Sequence, residues 1–246
     1  MSSQKRLRIF AGPNGSGKST IINIVRNHGI DMGVYVNADE IKEQFLKHQS
    51  LDFANYELTV LANELKEKIS DSTFFSDEVS DEVVENVTIE SNVMYCKRID
   101  LFDSVSTFTA DFIRNKLIGN CPKFTFETVM SHPSKLDFIK KATEQGYKTY
   151  LYFVSLEDPE LNKNRVKARV QLLGHDVPDD KIESRYYRTM DFLYDALKLV
   201  DKAFLFDNSG SRSILFAKYM DSEISIEDTD HVPQWFHTYV LDKIQV

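Results

Sequence analysis

Gly12-Pro13-Asn14-Gly15-Ser16-Gly17-Lys18-Ser19 form a complete G-x-x-x-x-G-K-[ST] run, and no other feature constrains this chain as strongly. Leu7-Arg8-Ile9-Phe10-Ala11, just before it, reads as a short apolar strand, and Ser19 to Val25, just after it, carries apolar residues at helical spacing. Strand, glycine loop and helix in that order define a βα unit with a phosphate-binding turn. Glycines let the backbone curl so that successive N–H groups point at one anion, and the helix dipole adds a favourable field. Lys18 then reaches the β- and γ-phosphates as a point charge, the Ser19 hydroxyl is placed to ligate Mg²⁺, and Thr20 is a further phosphate contact. The pattern points to binding of a nucleoside triphosphate.

Strands and helices alternate through most of the remaining sequence, which predicts a mainly parallel sheet covered on both faces. Val34-Tyr35-Val36 is a second short strand, and Asn37-Ala38-Asp39-Glu40 opens the next helix. Asp39 therefore falls at the carboxyl edge of the sheet, where such folds bind ligands. A carboxylate there can accept a hydroxyl hydrogen bond, orient it and take its proton. The competing role is a helix N-cap, which Asn37 could fill instead. Glu127 ends the strand Lys123 to Thr128 on the same edge, where it can meet substrate hydroxyls or a metal-bound water, or serve as a structural carboxylate. Thr128, Ser131 and His132 are candidates for the wall of an acceptor pocket, although a single histidine in such a place is more often a plain loop residue.

Basic residues gather in 162–188: Lys163, Arg165, Lys167, Arg169, Lys181, Arg185 and Arg188. Arg165 and Arg169 share a helix face at i, i+4, while Val166, Val170 and Leu173 form another. Such a helix can fold as a lid over ATP with its apolar side packed and its guanidinium groups on the transferring phosphoryl, a task suited to forked, permanently charged donors. Arg165 is the strongest candidate, followed by Arg169 and Arg185.

The 246 residues fit one α/β domain of the P-loop NTPase type, a three-layer fold with a helical lid at about 160–188 and an acidic, partly helical insertion at about 51–103. Within that insertion Tyr56 to Ile69 reads as a helix with Leu58, Leu61, Leu65 and Ile69 on one face. Seven of the 38 acidic residues fall in 71–90, with no lysine or arginine among them, so nearly all of the net charge of −8 belongs to this stretch. Its composition reads as a solvated or disordered loop. The acidic balance argues against general binding to nucleic acid or anionic membrane. Two cysteines, Cys96 and Cys121, exclude a disulfide framework. With no signal-peptide core at the amino terminus and no run of about 18 apolar residues, a cytoplasmic protein is expected.

The phosphate loop, Val-Asn-Ala-Asp-Glu-Ile (36–41), Phe-Glu-Thr (126–128), Glu-Gln-Gly-Tyr-Lys (144–148), Arg165 to Arg169, Gly-His-Asp-Val-Pro (174–178) and Phe-Asp-Asn-Ser (206–209) together resemble the zeta-toxin family of P-loop kinases. The likeness covers residues 6–48 and 105–220. It implies ATP- and Mg²⁺-dependent phosphorylation of a sugar hydroxyl on UDP-N-acetylglucosamine or a related nucleotide-sugar, and a separate antitoxin protein as partner. By position it implies phosphate-loop roles for Lys18 and Ser19, a catalytic base at Asp39, the acidic residue after the central strand at Glu127 and a lid arginine at Arg165. The family's second lid arginine falls near His175, which leaves Arg169 or Arg185 to substitute. A kinase for polynucleotide 5′-ends and a nucleotide-gated protein-binding module are the alternative readings. The first is weakened by the lack of a basic groove with interleaved aromatics outside the lid.

Overall fold

The computed structural model describes residues 4–72, 74–171 and 177–244. In chain order its main elements are β1 (Arg6–Ala11), α1 (Lys18–Asn27), β2 (Val34–Val36), α2 (Ala38–His48), β3 (Ser50–Asp52), α3 (Ala62–Ser70), α4 (Asp77–Asn86), β4 (Val87–Glu90), β5 (Val93–Cys96), α5 (Phe102–Leu117), β6 (Lys123–Thr128), α6 (Ser134–Glu144), β7 (Lys148–Ser155), α7 (Pro159–Gln171), α8 (Asp179–Leu199), β8 (Lys202–Asp207), β9 (Ile214–Met220) and β10 (Glu223–Ile226). The chain divides into two compact units, Met1–Gly33 with Glu127–Val246, and Val34–Phe126.

In the first unit β7 lies between β1 and β8, parallel to both, and β9 and β10 continue the sheet antiparallel. Leu151 to Ser155 of β7 are buried without a break. A strand covered on both faces has no solvent side to make polar, so this sequence shows no alternation. Helices α1 and α6 pack on β7, and α8 packs against α6 and α7. Ile214–Met220 is not the sheet's edge, as β10 pairs beyond it. Trp235 and Phe236, near the carboxyl end, are buried against Phe216.

In the second unit β2 pairs in parallel with β6, and α2 packs on α5. The expected insertion is folded: β5 pairs antiparallel with β3 and β4, and α3 packs on α4. Two expectations need correction here. The helix expected over 56–69 begins only at Ala62, and Leu61 is exposed. Glu57 takes a left-handed backbone (φ +56°) that ends a short 3-10 turn, after which Asn92 holds the chain extended through Val60 N–H (2.9 Å) and the Leu58 carbonyl (2.9 Å). The acidic stretch is also ordered for most of its length, as α4 and β4. Asp77 and Glu78 occupy the first turn of α4, where the helix dipole favours negative charge. Val83 and Val87 are buried while the acids stay in solvent.

Ile69, fully buried on α3, anchors this small layer. Ile69→Ala is expected to cost about 2–5 kcal/mol, the usual range for deleting a buried isoleucine side chain. Urea unfolding of the full chain measures it, and a change within about 0.5 kcal/mol would place α3 outside any core.

Candidate functional site: the phosphate loop

The turn from β1 to α1 closes tightly around its glycines, most tightly at Gly12 and Gly17. At Gly12 (φ +147°) a β-carbon would lie 2.0 Å from the Val154 carbonyl oxygen, and at Gly17 (φ +94°) one would lie 2.1 Å from Asn208 Nδ2. Gly17 is also the N-cap of α1, with no side-chain capping bond. No side chain therefore competes with an anion for the first amides of that helix. Ser16 is fully buried, and its hydroxyl oxygen has no hydrogen-bond partner. The carbonyl oxygens of the Asn14 and Asn162 side chains are likewise buried without one. A tight glycine cradle, an uncapped helix start and an orphaned hydroxyl fit a bound phosphate chain.

Lys18 is buried beside this cradle. Its ammonium donates to the carbonyls of Gly12 (3.0 Å) and Pro13 (3.1 Å) and lies 3.8 Å from Glu127 Oε1 at the end of β6. Arg165, on α7, donates from Nη2 to the Asn208 carbonyl (2.7 Å), and its Nη1 is 3.9 Å from the point where a β-carbon on Gly17 would sit. Lys18, Glu127 and Arg165 thus converge on the phosphate loop within the first unit. Ser19 and Thr20 are exposed on the first turn of α1.

The remaining candidates have contacts and exposures of their own. Thr128 Oγ1 accepts the Met130 N–H (3.0 Å), turning the chain at a residue with φ +60°. Ser131 is half-buried and His132 exposed. His132 Nδ1 accepts the Ser134 N–H (3.2 Å) at the start of α6. Arg169 is exposed and Arg185 half-buried. His175 and Leu173 lie outside the described residues. Two cations of the basic segment are engaged in holding helices together: Lys163 bonds Glu160 and Glu183 (2.6 Å each), and Lys167 bonds Asp179 (2.7 Å). Val166, Val177 and Ile182 pack together beneath them, with Val170 against the cluster. In the second unit Asp39 is exposed on the first turn of α2. Asn37 is the N-cap there, accepting the Asp39 N–H at 2.9 Å, so the Asp39 carboxylate is not needed for capping.

Sequence reasoning assigned no role to two asparagines at this loop. Asn162, fully buried, donates to the Asn14 carbonyl (2.6 Å), and Asn208 donates to the Ser16 carbonyl (2.8 Å). Beside Asn208, buried Asp207 accepts from the Ser209 hydroxyl (2.7 Å) and meets His231 Nε2 (2.8 Å). Burial, reinforced by the nearby Asp207 charge, pushes the Glu157 carboxyl above its ordinary pKa. For Asn208 the position was a signal, a polar run at the carboxyl end of a parallel strand.

The chain has the fold of the P-loop nucleoside-triphosphate-binding proteins. No protein-family model matches it. A curated protein of Haemophilus influenzae, described only as uncharacterized, is 33% identical over 63 residues, 26% of this chain and 45% of that protein. Among solved structures, AvrRxo1-ORF1:AvrRxo1-ORF2 with sulphate ions is similar at a TM-score of 0.56 and 16% identity, over 93% of this chain and 62% of that one. The same complex with ATP gives a TM-score of 0.54, with 16% identity and the same coverage. A structure from the PezAT chromosomal toxin–antitoxin system of Streptococcus pneumoniae gives 0.51, with 13% identity over 95% of this chain and 75% of that one. The chain thus spans less than two thirds of the length of the AvrRxo1 chains and of the Haemophilus protein.

Gly17→Ala is expected to weaken ATP binding about tenfold or more, because alanine must adopt a strained left-handed backbone and displace the Asn208 amide. Calorimetric titration with ATP checks this, and unchanged affinity would remove Gly17 from the binding turn.

Proposed function

We propose that this protein is an ATP- and Mg²⁺-dependent small-molecule kinase of the zeta-toxin type, which transfers the γ-phosphate to a sugar hydroxyl of UDP-N-acetylglucosamine or a related nucleotide-sugar. The observation that carries the reading is the convergence of Lys18, Glu127 and Arg165 on a glycine loop shaped for phosphate. Similarity to a structure solved with ATP supports the choice of nucleotide.

In this reading the loop 12–20 holds the triphosphate by backbone amides, Lys18 and Arg165 neutralise charge on the transferring phosphoryl, and Arg169 or Arg185 supplies a second guanidinium. Bound Mg²⁺ supplies further charge neutralisation. Ser19 would offer it a hydroxyl oxygen, the hard donor type that Mg²⁺ prefers. Asp39 is the proposed base that takes the acceptor hydroxyl's proton. Glu127, Thr128, Ser131 and His132 are the proposed acceptor side.

The similarity to a structure from a chromosomal toxin–antitoxin system supports a separate antitoxin protein as partner. No described helix is long and apolar enough to cross a membrane, and a cytoplasmic location is proposed from the cysteine usage. Competition separates this reading from a polynucleotide kinase. UDP-sugars should suppress phosphorylation of a labelled UDP-N-acetylglucosamine acceptor and single-stranded oligonucleotides should not. The reverse pattern would replace the acceptor class.

A further inference from the structure

The turn after β8 carries more contacts to the phosphate loop than a connector between strands needs. Asn208 is buried, and all its polar groups are engaged. Its Nδ2 donates to the Ser16 carbonyl (2.8 Å), its Oδ1 accepts from the Ser213 hydroxyl (2.6 Å), its N–H donates to the Ser155 carbonyl (2.9 Å) and its carbonyl accepts from Arg165 (2.7 Å). The Ser213 bond matters because it fixes which end of the amide faces the loop: a hydroxyl donating to Oδ1 leaves Nδ2 for Ser16. In a trans peptide C=O and N–H point in opposite directions. Pinning the Ser16 carbonyl on Asn208 therefore aims the Gly17 N–H away from Asn208. The absence of a β-carbon at Gly17 is what lets the amide approach, since one would lie 2.1 Å from Nδ2.

We infer that Asn208 is a positioning residue that sets the Ser16–Gly17 peptide through its side-chain amide and the Arg165 guanidinium through its backbone carbonyl, so that one residue couples the phosphate loop to the lid arginine. The inference rests on the nucleotide-binding reading above and adds a determinant of ATP affinity that lies nearly 200 residues from the loop. Asn208 need not touch ATP itself. Its effect is exerted through a peptide plane and through an arginine held by its own backbone carbonyl.

The test uses the full chain with two variants, Asn208→Asp and Ser213→Ala. Asn208→Asp keeps the shape and replaces the donor facing the Ser16 carbonyl with an acceptor. Ser213→Ala leaves Asn208 in place but removes the bond that orients its amide, which keeps the inference testable if the aspartate variant folds poorly. Each is measured for ATP affinity by calorimetry, for KM of ATP and of the acceptor, and for thermal melting. Losing a buried hydrogen bond at this point should raise the Kd and KM for ATP about tenfold in Asn208→Asp and about threefold in Ser213→Ala. The acceptor KM should stay within about twofold of wild type, a split that general loosening of the structure would not give. A double-mutant cycle of Asn208→Ala with Arg165→Ala should be non-additive. ATP binding by the wild type with unchanged affinity in both variants overturns the inference alone. Parallel loss of ATP and acceptor affinity that tracks the melting temperature also overturns it, by making Asn208 merely structural. A wild-type chain that does not bind ATP overturns the nucleotide reading and this inference with it.

Discussion

Lys18→Met should abolish useful phosphoryl transfer, lowering kcat by roughly 10²–10³-fold, the scale seen when one preorganised charge at a developing oxyanion is lost. Methionine keeps most of the stem that fills the buried site, so the change removes the ammonium rather than the packing. The ammonium is held ready by two loop carbonyls at 3.0 and 3.1 Å and by Glu127 at 3.8 Å. Its withdrawal leaves the largely buried Glu127 with less compensating charge, so thermal stability should fall slightly along with activity. Lys18→Arg is not expected to rescue. A planar fork cannot replace a compact point charge inside a turn this tight. Rapid-quench measurement of a single turnover checks the chemical step apart from product release. Wild-type turnover in Lys18→Met would contradict the assigned role of the loop.

Asp39→Asn should lower kcat by about 10²–10⁴-fold while leaving ATP affinity close to wild type, as expected when a general base is neutralised without changing its shape. The local structure makes this a clean substitution. Asn37 caps α2 by accepting the Asp39 backbone N–H at 2.9 Å, a bond the side-chain change leaves intact. The exposed carboxylate contributes at most a favourable interaction with the helix dipole, about 0.3–1 kcal/mol. Stability should therefore move little, and a large loss of rate with an unchanged melting curve is the expected signature. Full activity in Asp39→Asn would show that another group takes the proton.

What could be read from the chain follows the range of the forces involved. The phosphate loop, Asn37 as cap and the uninterrupted apolar run of β7 were legible because each rests on neighbours in sequence. Arg165 was expected on a lid from its spacing, and its Nη1 lies 3.9 Å from the point where a β-carbon on Gly17 would sit. The start of α3 was not legible. A left-handed Glu57 and a hydrogen-bonding partner more than 30 residues away, Asn92, override a helical spacing of leucines. Composition misled over 71–90, where the acids lie on the solvent side of α4 and Val83 supplies the buried contact. Lys163 and Lys167 count only as part of a basic run in the linear sequence, because their carboxylate partners Glu183 and Asp179 are not evident there. Asn162 and Asn208 reach loop carbonyls across 148 and 192 residues. No local pattern records such contacts.

The most direct measurement is to incubate the full chain with ATP, Mg²⁺ and a panel of UDP-sugars, nucleosides and oligonucleotides, and to identify the products by mass. A UDP-sugar heavier by one phosphoryl group, formed with matching ADP and lost in Lys18→Met and Asp39→Asn, is the predicted result. Phosphorylation of a different acceptor class with every UDP-sugar untouched, or ATP binding with no phosphorylated product at all, would contradict the account.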